Sequence, residues 1–177
     1  MKKVLIFIFF VNITNYTFAQ NWKPVTAGVN FKMKMLITSV SGDFKGFVGS
    51  LKFDPNDLAN SSLVGSVDAT TVDTYNNLRN RHIREKEEFF NVAKYPKLKM
   101  KTTKIEKDGS NYIGYFDLTI KETTKNVKMP FIFKQEGNKA TFQGSTVINR
   151  HDWAVGGGTF GMGDNVTFTI TVNAIKE

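Results

Sequence analysis

Cysteine is absent from the 177 residues of the sequence. This absence excludes disulfide bonds, a cysteine nucleophile and a lipid-modified cysteine, so the apolar core alone must hold the fold together. Histidine is scarce, since His82 and His151 are the two in the chain and lie far apart. His82 and Glu85 have helical spacing, but no third ligand stands near them in the sequence. We therefore predict no metal site and no cofactor.

Long hydrophobic runs are missing after residue 19. We expect no stable membrane insertion, because a helix that crosses a bilayer takes about 20 apolar residues. The first nineteen residues combine a basic start, a short apolar run and small residues up to Ala19. That pattern is typical of a secretory signal peptide cleaved after Ala19. We therefore predict a signal peptide over residues 1–19, a single domain over residues 20–177, and a periplasmic or secreted location.

Positive charge is in modest excess. Without Lys2 and Lys3, 22 of the 24 basic side chains remain against 16 acidic ones, which leaves a net charge of +6. This excess would suit weak attraction to an anionic lipid surface, although dispersed lysines more often serve solubility. Arg79, Arg81 and Arg84 do gather, yet export would carry the protein away from cytosolic nucleic acid. No nucleic-acid partner is therefore predicted.

Alternation of apolar and polar residues is the main pattern from Val29 onward. A period of two indicates β-strands with one apolar face. Eight such runs, separated by short turns, begin near Val29, Ser41, Leu63, Leu98, Tyr112, Val127, Ala140 and Val166. Short connections between amphipathic strands favour an all-β fold, an eight-stranded antiparallel barrel, with a two-layer sandwich as the alternative. A barrel of this size either fills with side chains or holds one small ligand.

One long segment, residues 75–92, breaks the alternation. It predicts a helical insertion between the third and fourth strands. The helix should end before Tyr95, because a residue that precedes proline avoids the α region. The glutamates of this segment stand beside its arginines, as is usual on a solvated helix face.

Patterns that indicate catalysis are weak. No serine sits in a nucleophile elbow, and no pair of carboxylates can be singled out for acid–base chemistry. Residues 156–161 (GGGTFG) match the glycine spacing of a dinucleotide-binding loop, but they lead into a strand instead of a helix. They predict only a connection with positive φ angles. No catalytic residue is predicted, and an enzyme that acts on a lipophilic substrate inside the barrel remains the alternative function.

Four separated motifs resemble those of the YceI-like family, in the same order along the chain. They are SGDFKG (41–46), LRN (78–80) with EFFNV (88–92) and KYPKL (94–98), GYFDLTIK (114–121), and VINRHDWAV (147–155). The resemblance runs from about residue 22 to residue 176. It implies a lipocalin-like, extended eight-stranded barrel that is exported to the periplasm and binds a long isoprenoid or a similar amphiphile in its interior. The chain departs from the family at Asn77, where histidine is common, and at Trp153–Ala154, where phenylalanine and glycine are common.

The energy of apolar burial favours a long ligand. At about 0.8 kcal/mol per methylene, a chain of about twenty carbons gains roughly 16 kcal/mol, whereas association costs about 4–15 kcal/mol. The residues predicted to line the interior share inward parity, which means that they occupy the alternate positions of each strand that face the inside of the barrel. The methionines among them suit a flexible tail. They are Phe31, Met33, Met35, Phe47, Leu51, Met100, Phe116, Leu118, Phe131, Phe133, Phe142, Phe168 and Ile170. Ordinary core packing in a filled barrel is the alternative for each of them.

A polar rim of Arg79, His82 and Arg150 is predicted to meet a phosphate or carboxylate head group, because arginine offers a planar fork to such anions. The predicted partner is a long-chain isoprenoid or another lipid, and the predicted role is that of a carrier or a sequestering module. Whether the protein forms a homodimer stays open in the sequence.

Overall fold

The computed structural model describes residues 20–177, and the predicted signal peptide lies outside the described residues. Within them the chain forms strands with one α-helix after the third. In order these are β1 (Asn21–Met35), β2 (Thr38–Lys52), β3 (Ser62–Asp73), α1 (Asn77–Glu85), β4 (Lys97–Asp108), β5 (Asn111–Ile120), β6 (Thr123–Glu136), β7 (Lys139–Asn149) and β8 (Met162–Lys176). A short 3₁₀ turn, Arg150–Trp153, follows β7.

Each strand pairs antiparallel with the next, and β8 pairs with β1, so the sheet closes into a barrel. The predicted eight-stranded antiparallel barrel is confirmed, and the closure excludes the sandwich. Because the strands run up and down, the connections alternate between two ends. The helix end carries α1 and the β1–β2, β5–β6 and β7–β8 connections. The terminal end carries Gln20, Glu177 and the remaining connections.

The α-helix is present and shorter than the predicted insertion. Asn76 caps its start by accepting a hydrogen bond of 2.9 Å from the Arg79 N–H. The helix ends at Glu85, because Lys86 takes an extended conformation with a ψ of 141°. The chain then turns back, and the Phe90 N–H donates to a helix carbonyl at 3.0 Å. The turns after the helix thereby bury Phe90 in the core.

A bulge at Gly46 reverses the alternation within β2. Gly46 has a φ of +66°, and the register between β2 and β3 shifts on both sides of Lys45. An extra residue in one strand moves the following side chains to the opposite face. Phe44 and Phe47 therefore both belong to the interior, although they are three positions apart. Uniform alternation along β2 predicts only Phe47 inside.

The core consists of two clusters of buried apolar side chains, one toward each end of the barrel. Phe53 and Phe131 belong to the cluster at the terminal end, and Phe44 and Trp153 belong to the cluster at the helix end. Phe47 packs against both clusters. Between residues 20 and 177, no helix is long and apolar enough to span a bilayer.

Candidate functional site

Two apolar cavities lie inside the barrel. The larger has a volume of about 120 Å³ and extends along the inner faces of the strands. The smaller, of about 60 Å³, lies toward the helix end, against Phe89, Phe90 and Trp153. Phe44 and Phe168 are the two residues that line both cavities. Carbon atoms make up almost the whole surface of both cavities, so a bound molecule would meet apolar contacts.

Most of the predicted lining residues reach one of these cavities. The larger cavity is lined by Phe47, Leu51, Met100, Phe116, Leu118, Phe131, Phe142, Phe168 and Ile170. Phe31 and Met33 line the smaller cavity. These side chains come from seven different strands, and the closure of the barrel is what brings them together.

Met35 and Phe133 line neither cavity. Met35 is the last residue of β1, where it pairs with Met162 at the helix end. Phe133 packs among the rings of the terminal end, and its centroid lies 4.8 Å from that of Phe53 and 5.5 Å from that of Trp22. Parity selects the inner face of a strand, whereas position along the barrel decides whether a side chain borders empty space or other rings.

Further side chains line the cavities without having been predicted. Nine of them share the inward parity and follow from the same rule. Six line the larger cavity (Val29, Leu63, Val67, Leu98, Met129 and Val172) and three line the smaller one (Ile120, Ile148 and Val166). Phe44 enters the lining through the bulge at Gly46. The helical insertion contributes three residues to the smaller cavity: Ile83, Phe89 and Phe90. The charged residues around them make the segment look solvent-exposed, so the sequence does not predict this role.

The rings of Phe31, Phe44 and Phe168 form an aromatic partition between the two cavities. The centroid of Phe31 lies 5.4 Å from that of Phe44 and 6.2 Å from that of Phe168. Phe90 supports the partition from the helix end, 5.7 Å from Phe44. Movement of Phe44 or Phe168 would join the cavities, because these two residues border both.

Arg150 is buried beneath the β7–β8 connection. Its guanidinium donates to the carbonyls of Val155 and Gly157 at 2.8 Å each, and to the carbonyl of Gly163 at 3.0 Å. Arg150 also borders the smaller cavity. Its hydrogen bonds are directed at the main chain, so this arginine holds the connection against the barrel.

Arg79 and His82 lie on α1 and line neither cavity. The Arg79 Nε donates to Thr74 Oγ1 at 2.8 Å, and its terminal nitrogen donates to the Thr74 carbonyl at 2.7 Å. The same Thr74 hydroxyl donates to Asn80 Oδ1 at 2.6 Å. Arg79 therefore helps to attach the helix to the end of β3. The structure does not bring the three predicted rim residues to one cavity.

Asp73 completes the attachment of the helix. Its carboxylate accepts hydrogen bonds of 2.8 Å from the Tyr75 main-chain N–H and from Asn80 Nδ2. Both bonds favour the ionised form, the Tyr75 bond more strongly, and they hold the pKa of Asp73 below its usual value. The ionised carboxylate thus helps to hold in place the helix, whose Ile83 lines the smaller cavity.

The polar groups of the interior are already paired. Throughout residues 20–177, every buried side-chain nitrogen or oxygen has a hydrogen-bond partner. Trp153 is an example, since its indole N–H donates to the Leu118 carbonyl at 3.1 Å. Over the same residues, no cluster of three or more metal-ligating side chains is found. What the described interior offers a ligand is apolar surface.

Comparison with known proteins places this barrel in a family. The YceI-like domain matches residues 21–174. A UPF0312 protein of Photorhabdus laumondii is 31% identical over 134 residues, which cover 72% of this chain and 69% of that protein. BcnA of Burkholderia cenocepacia has a similar crystal structure, with a TM-score of 0.79 and 27% identity, over 84% of this chain and 96% of BcnA.

A more distant likeness concerns the fold alone. A domain from Saccharophagus degradans, described as a polyisoprenoid binding domain implicated in plant cell wall breakdown, superimposes with a TM-score of 0.63 and 13% identity. The match covers 91% of this chain and the whole of that domain. Because the family match spans nearly all of the described barrel, the chain belongs to the YceI-like domain family.

Proposed function

We propose that this protein binds a long-chain isoprenoid or a similar amphiphilic lipid, with the apolar tail inside the barrel, and that it acts outside the cytoplasm as a carrier or sequestering module. The pair of apolar cavities that meet at Phe44 and Phe168 is the observation that carries the proposal. The polyisoprenoid binding domain of Saccharophagus degradans has the same fold, which supports this class of ligand.

The volumes of the two cavities limit the length of tail that can fit without movement of the side chains. An apolar cavity of about 150 Å³ in another protein accepts a benzene-sized molecule. The larger cavity, of about 120 Å³, is therefore suited to a short branched segment. A tail of several isoprene units needs both cavities and some movement of the rings between them.

The energetic argument also favours a long tail. Each buried methylene contributes about 0.8 kcal/mol, and association costs about 4–15 kcal/mol before any net affinity remains. A short molecule in the larger cavity alone gains too little to be held firmly. A tail that occupies both cavities gains several times more, without any polar contact inside the barrel.

The head group should remain at one end of the barrel, because the described interior has no spare hydrogen-bonding group for it. The helix end is the better candidate, since the smaller cavity borders the main-chain turns after α1 and the buried Arg150. Deep burial of an unpaired phosphate or carboxylate would be costly.

Organic extraction of protein purified from its native host, followed by mass spectrometry, tests this function. We expect an isoprenoid or another long-chain lipid in near-stoichiometric amount. Delipidated protein should rebind prenyl alcohols with an affinity that rises with chain length. Repeated preparations without lipid, together with no rebinding of any prenyl alcohol, would contradict the proposal. Transfer of a labelled lipid between two vesicle populations then separates a carrier from a sequestering module.

A further inference from the structure

Exposed apolar side chains are distributed unevenly over the two ends of the barrel. At the helix end, Leu36 and Ile37 of the β1–β2 turn are 65% and 100% exposed, and Phe160 of the β7–β8 connection is 88% exposed. We call these three residues the apolar tip. In the described part of the chain, no large hydrophobic residue is comparably exposed in a connection at the terminal end.

The β1–β2 turn has an unusual sequence for its conformation. Leu36 has a φ of +52°, a region that glycine and asparagine occupy far more readily than leucine. Ile37 follows and is fully exposed. The Ile37 side chain therefore contributes no packing to the fold. An apolar partner outside the protein would account for these two apolar residues.

The two connections of the apolar tip are joined to each other. The Leu36 N–H donates to the Gly161 carbonyl at 2.7 Å. A Cβ atom at Gly161 would lie 2.5 Å from Leu36 Cδ2, so the connections are in close contact. Met162, the next residue, lines the smaller cavity. The apolar tip therefore lies next to a residue that lines the smaller cavity.

The surroundings of the tip carry a modest excess of basic side chains, although Asp152 stands in the β7–β8 connection and Lys121 and Glu122 offset each other in the β5–β6 turn. Lys32 and Lys34 are exposed on the outer face of β1, just before the turn. Residues 74–96, which cover the same end, contain five basic side chains (Arg79, Arg81, Arg84, Lys86, Lys94) and three acidic ones (Glu85, Glu87, Glu88). Asp164 is close by, but it lies 2.9 Å from His151 Nε2 and 3.5 Å from the Arg150 guanidinium.

We propose that the helix end docks on the surface of an anionic lipid bilayer, with the apolar tip inserted between the lipids and the surrounding lysines and arginines facing the head groups. Apolar residues flanked by basic ones are the composition of interfacial membrane contacts. The docking itself does not depend on what the barrel binds. Docking would also place the smaller cavity near the bilayer, where lipid could be exchanged; this second role rests on the proposed function.

A second copy of the chain fits this surface less well. A stable dimer buries roughly 1,000 Å² or more, with about 20 residues on each side, and three side chains supply only a small part of that area. Two helix ends facing each other would also bring their basic side chains together. An anionic bilayer instead supplies charge opposite to these side chains, and that attraction adds to the burial of a small apolar area.

Vesicle co-sedimentation of the purified protein tests the proposal. The probes are vesicles of mixed phosphatidylcholine and phosphatidylglycerol, with pure phosphatidylcholine vesicles for comparison. The double variant Ile37→Ser, Phe160→Ser removes most of the tip. Its matched control is Val48→Ser, Val147→Ser, which changes two exposed aliphatic residues on the barrel wall. We expect the tip variant to lose about tenfold or more in vesicle affinity and the control to match the unchanged protein.

Binding should also be stronger to the anionic vesicles and should weaken as salt is added. The proposal is overturned if the unchanged protein binds neither vesicle, or if the tip variant binds as well as the control. It is also overturned if sedimentation velocity shows that the tip variant loses self-association while vesicle binding is retained. Rebinding of a prenyl alcohol in detergent-free solution, measured on the same variants, is expected to be unchanged. That readout separates a failure of docking from a failure of lipid binding.

Discussion

The ring of Phe47 lies against Gly65 on the neighbouring strand: a Cβ atom at Gly65 would stand 2.8 Å from Phe47 Cε2. Gly65 pairs with Gly49 across β2 and β3, and a Cβ atom at Gly49 would lie 2.7 Å from Phe47 Cζ. The paired glycines thus leave a shallow space in the barrel wall that the ring fills. Because Phe47 lines the larger cavity, this space determines how much of the cavity remains empty.

Gly65→Ala should push the Phe47 ring into the larger cavity. We expect a loss of about 1–3 kcal/mol in the free energy of unfolding, as overpacking usually causes, and a lower affinity for a prenyl alcohol. The double variant Gly65→Ala, Phe47→Leu should recover much of that affinity, because the smaller side chain needs less space. Gly28→Ala is the control, since its Cβ atom would meet Asn30 at an ordinary 3.5 Å. Equal affinities in the two alanine variants would contradict the prediction.

Phe44→Ala should join the two cavities. We expect a loss of about 3–5 kcal/mol in stability, together with a higher ratio of affinities for a prenol of about twenty carbons over one of about ten. Competition with a fluorescent lipid measures both affinities. Phe53→Ala is the control, because Phe53 is fully buried but lines neither cavity. An unchanged ratio in Phe44→Ala would show that the aromatic partition does not limit chain length.

Phe44 also marks the limit of what alternation predicts. The number of strands, their antiparallel order and most of the inner faces follow from a period of two along the chain. A bulge breaks that period, and the glycine at position 46 indicates that a bulge can occur without giving its exact register. The same difficulty affects β1, whose register with β8 shifts between Pro24 and Thr26. The strand therefore begins at Asn21, well before the regular alternation at Val29.

Arg150 illustrates a second limit. Its guanidinium contacts carbonyls that are five to thirteen residues away, and those carbonyls converge only after β7, the 3₁₀ turn and β8 are in place. No local pattern distinguishes such an arginine from one exposed to an anionic head group. The distinction depends on tertiary packing, which also decides that Phe133 meets other rings while Phe131, two residues earlier, borders a cavity.

Arg150→Met should destabilise the β7–β8 connection. The variant keeps the apolar part of the side chain but leaves the Val155, Gly157 and Gly163 carbonyls without their donor. Only the Val155 carbonyl belongs to a buried residue, so at about 1–3 kcal/mol for an unsatisfied buried group we expect a loss of about 1–3 kcal/mol in denaturant unfolding. Proteolysis within the connection should also become faster. Unchanged stability with weaker binding of a lipid phosphate would instead support the predicted role of Arg150 as a head-group ligand.

The Asp73 carboxylate should make the folded protein less stable as the pH falls into the acidic range. Its pKa is lower in the folded chain than in the unfolded one, so its contribution is complete above the unfolded value of about 4 and disappears as the pH falls through the folded value. Melting temperatures between about pH 5 and pH 2 should fall less steeply for Asp73→Asn than for the unchanged protein. Asp108→Asn, at the terminal end, is the control. Parallel curves for all three proteins would contradict this role.

Trp153 should report when a lipid tail reaches the smaller cavity. The chain has two tryptophans: Trp153 lines that cavity, whereas Trp22 lines neither cavity and donates to the Phe53 carbonyl at 3.0 Å. Because a tail would replace empty space beside the Trp153 indole, binding should shift or quench the intrinsic emission. Trp22→Phe should keep this change and Trp153→Phe should lose it. If the change disappears in Trp22→Phe and persists in Trp153→Phe, the tail approaches the terminal end instead.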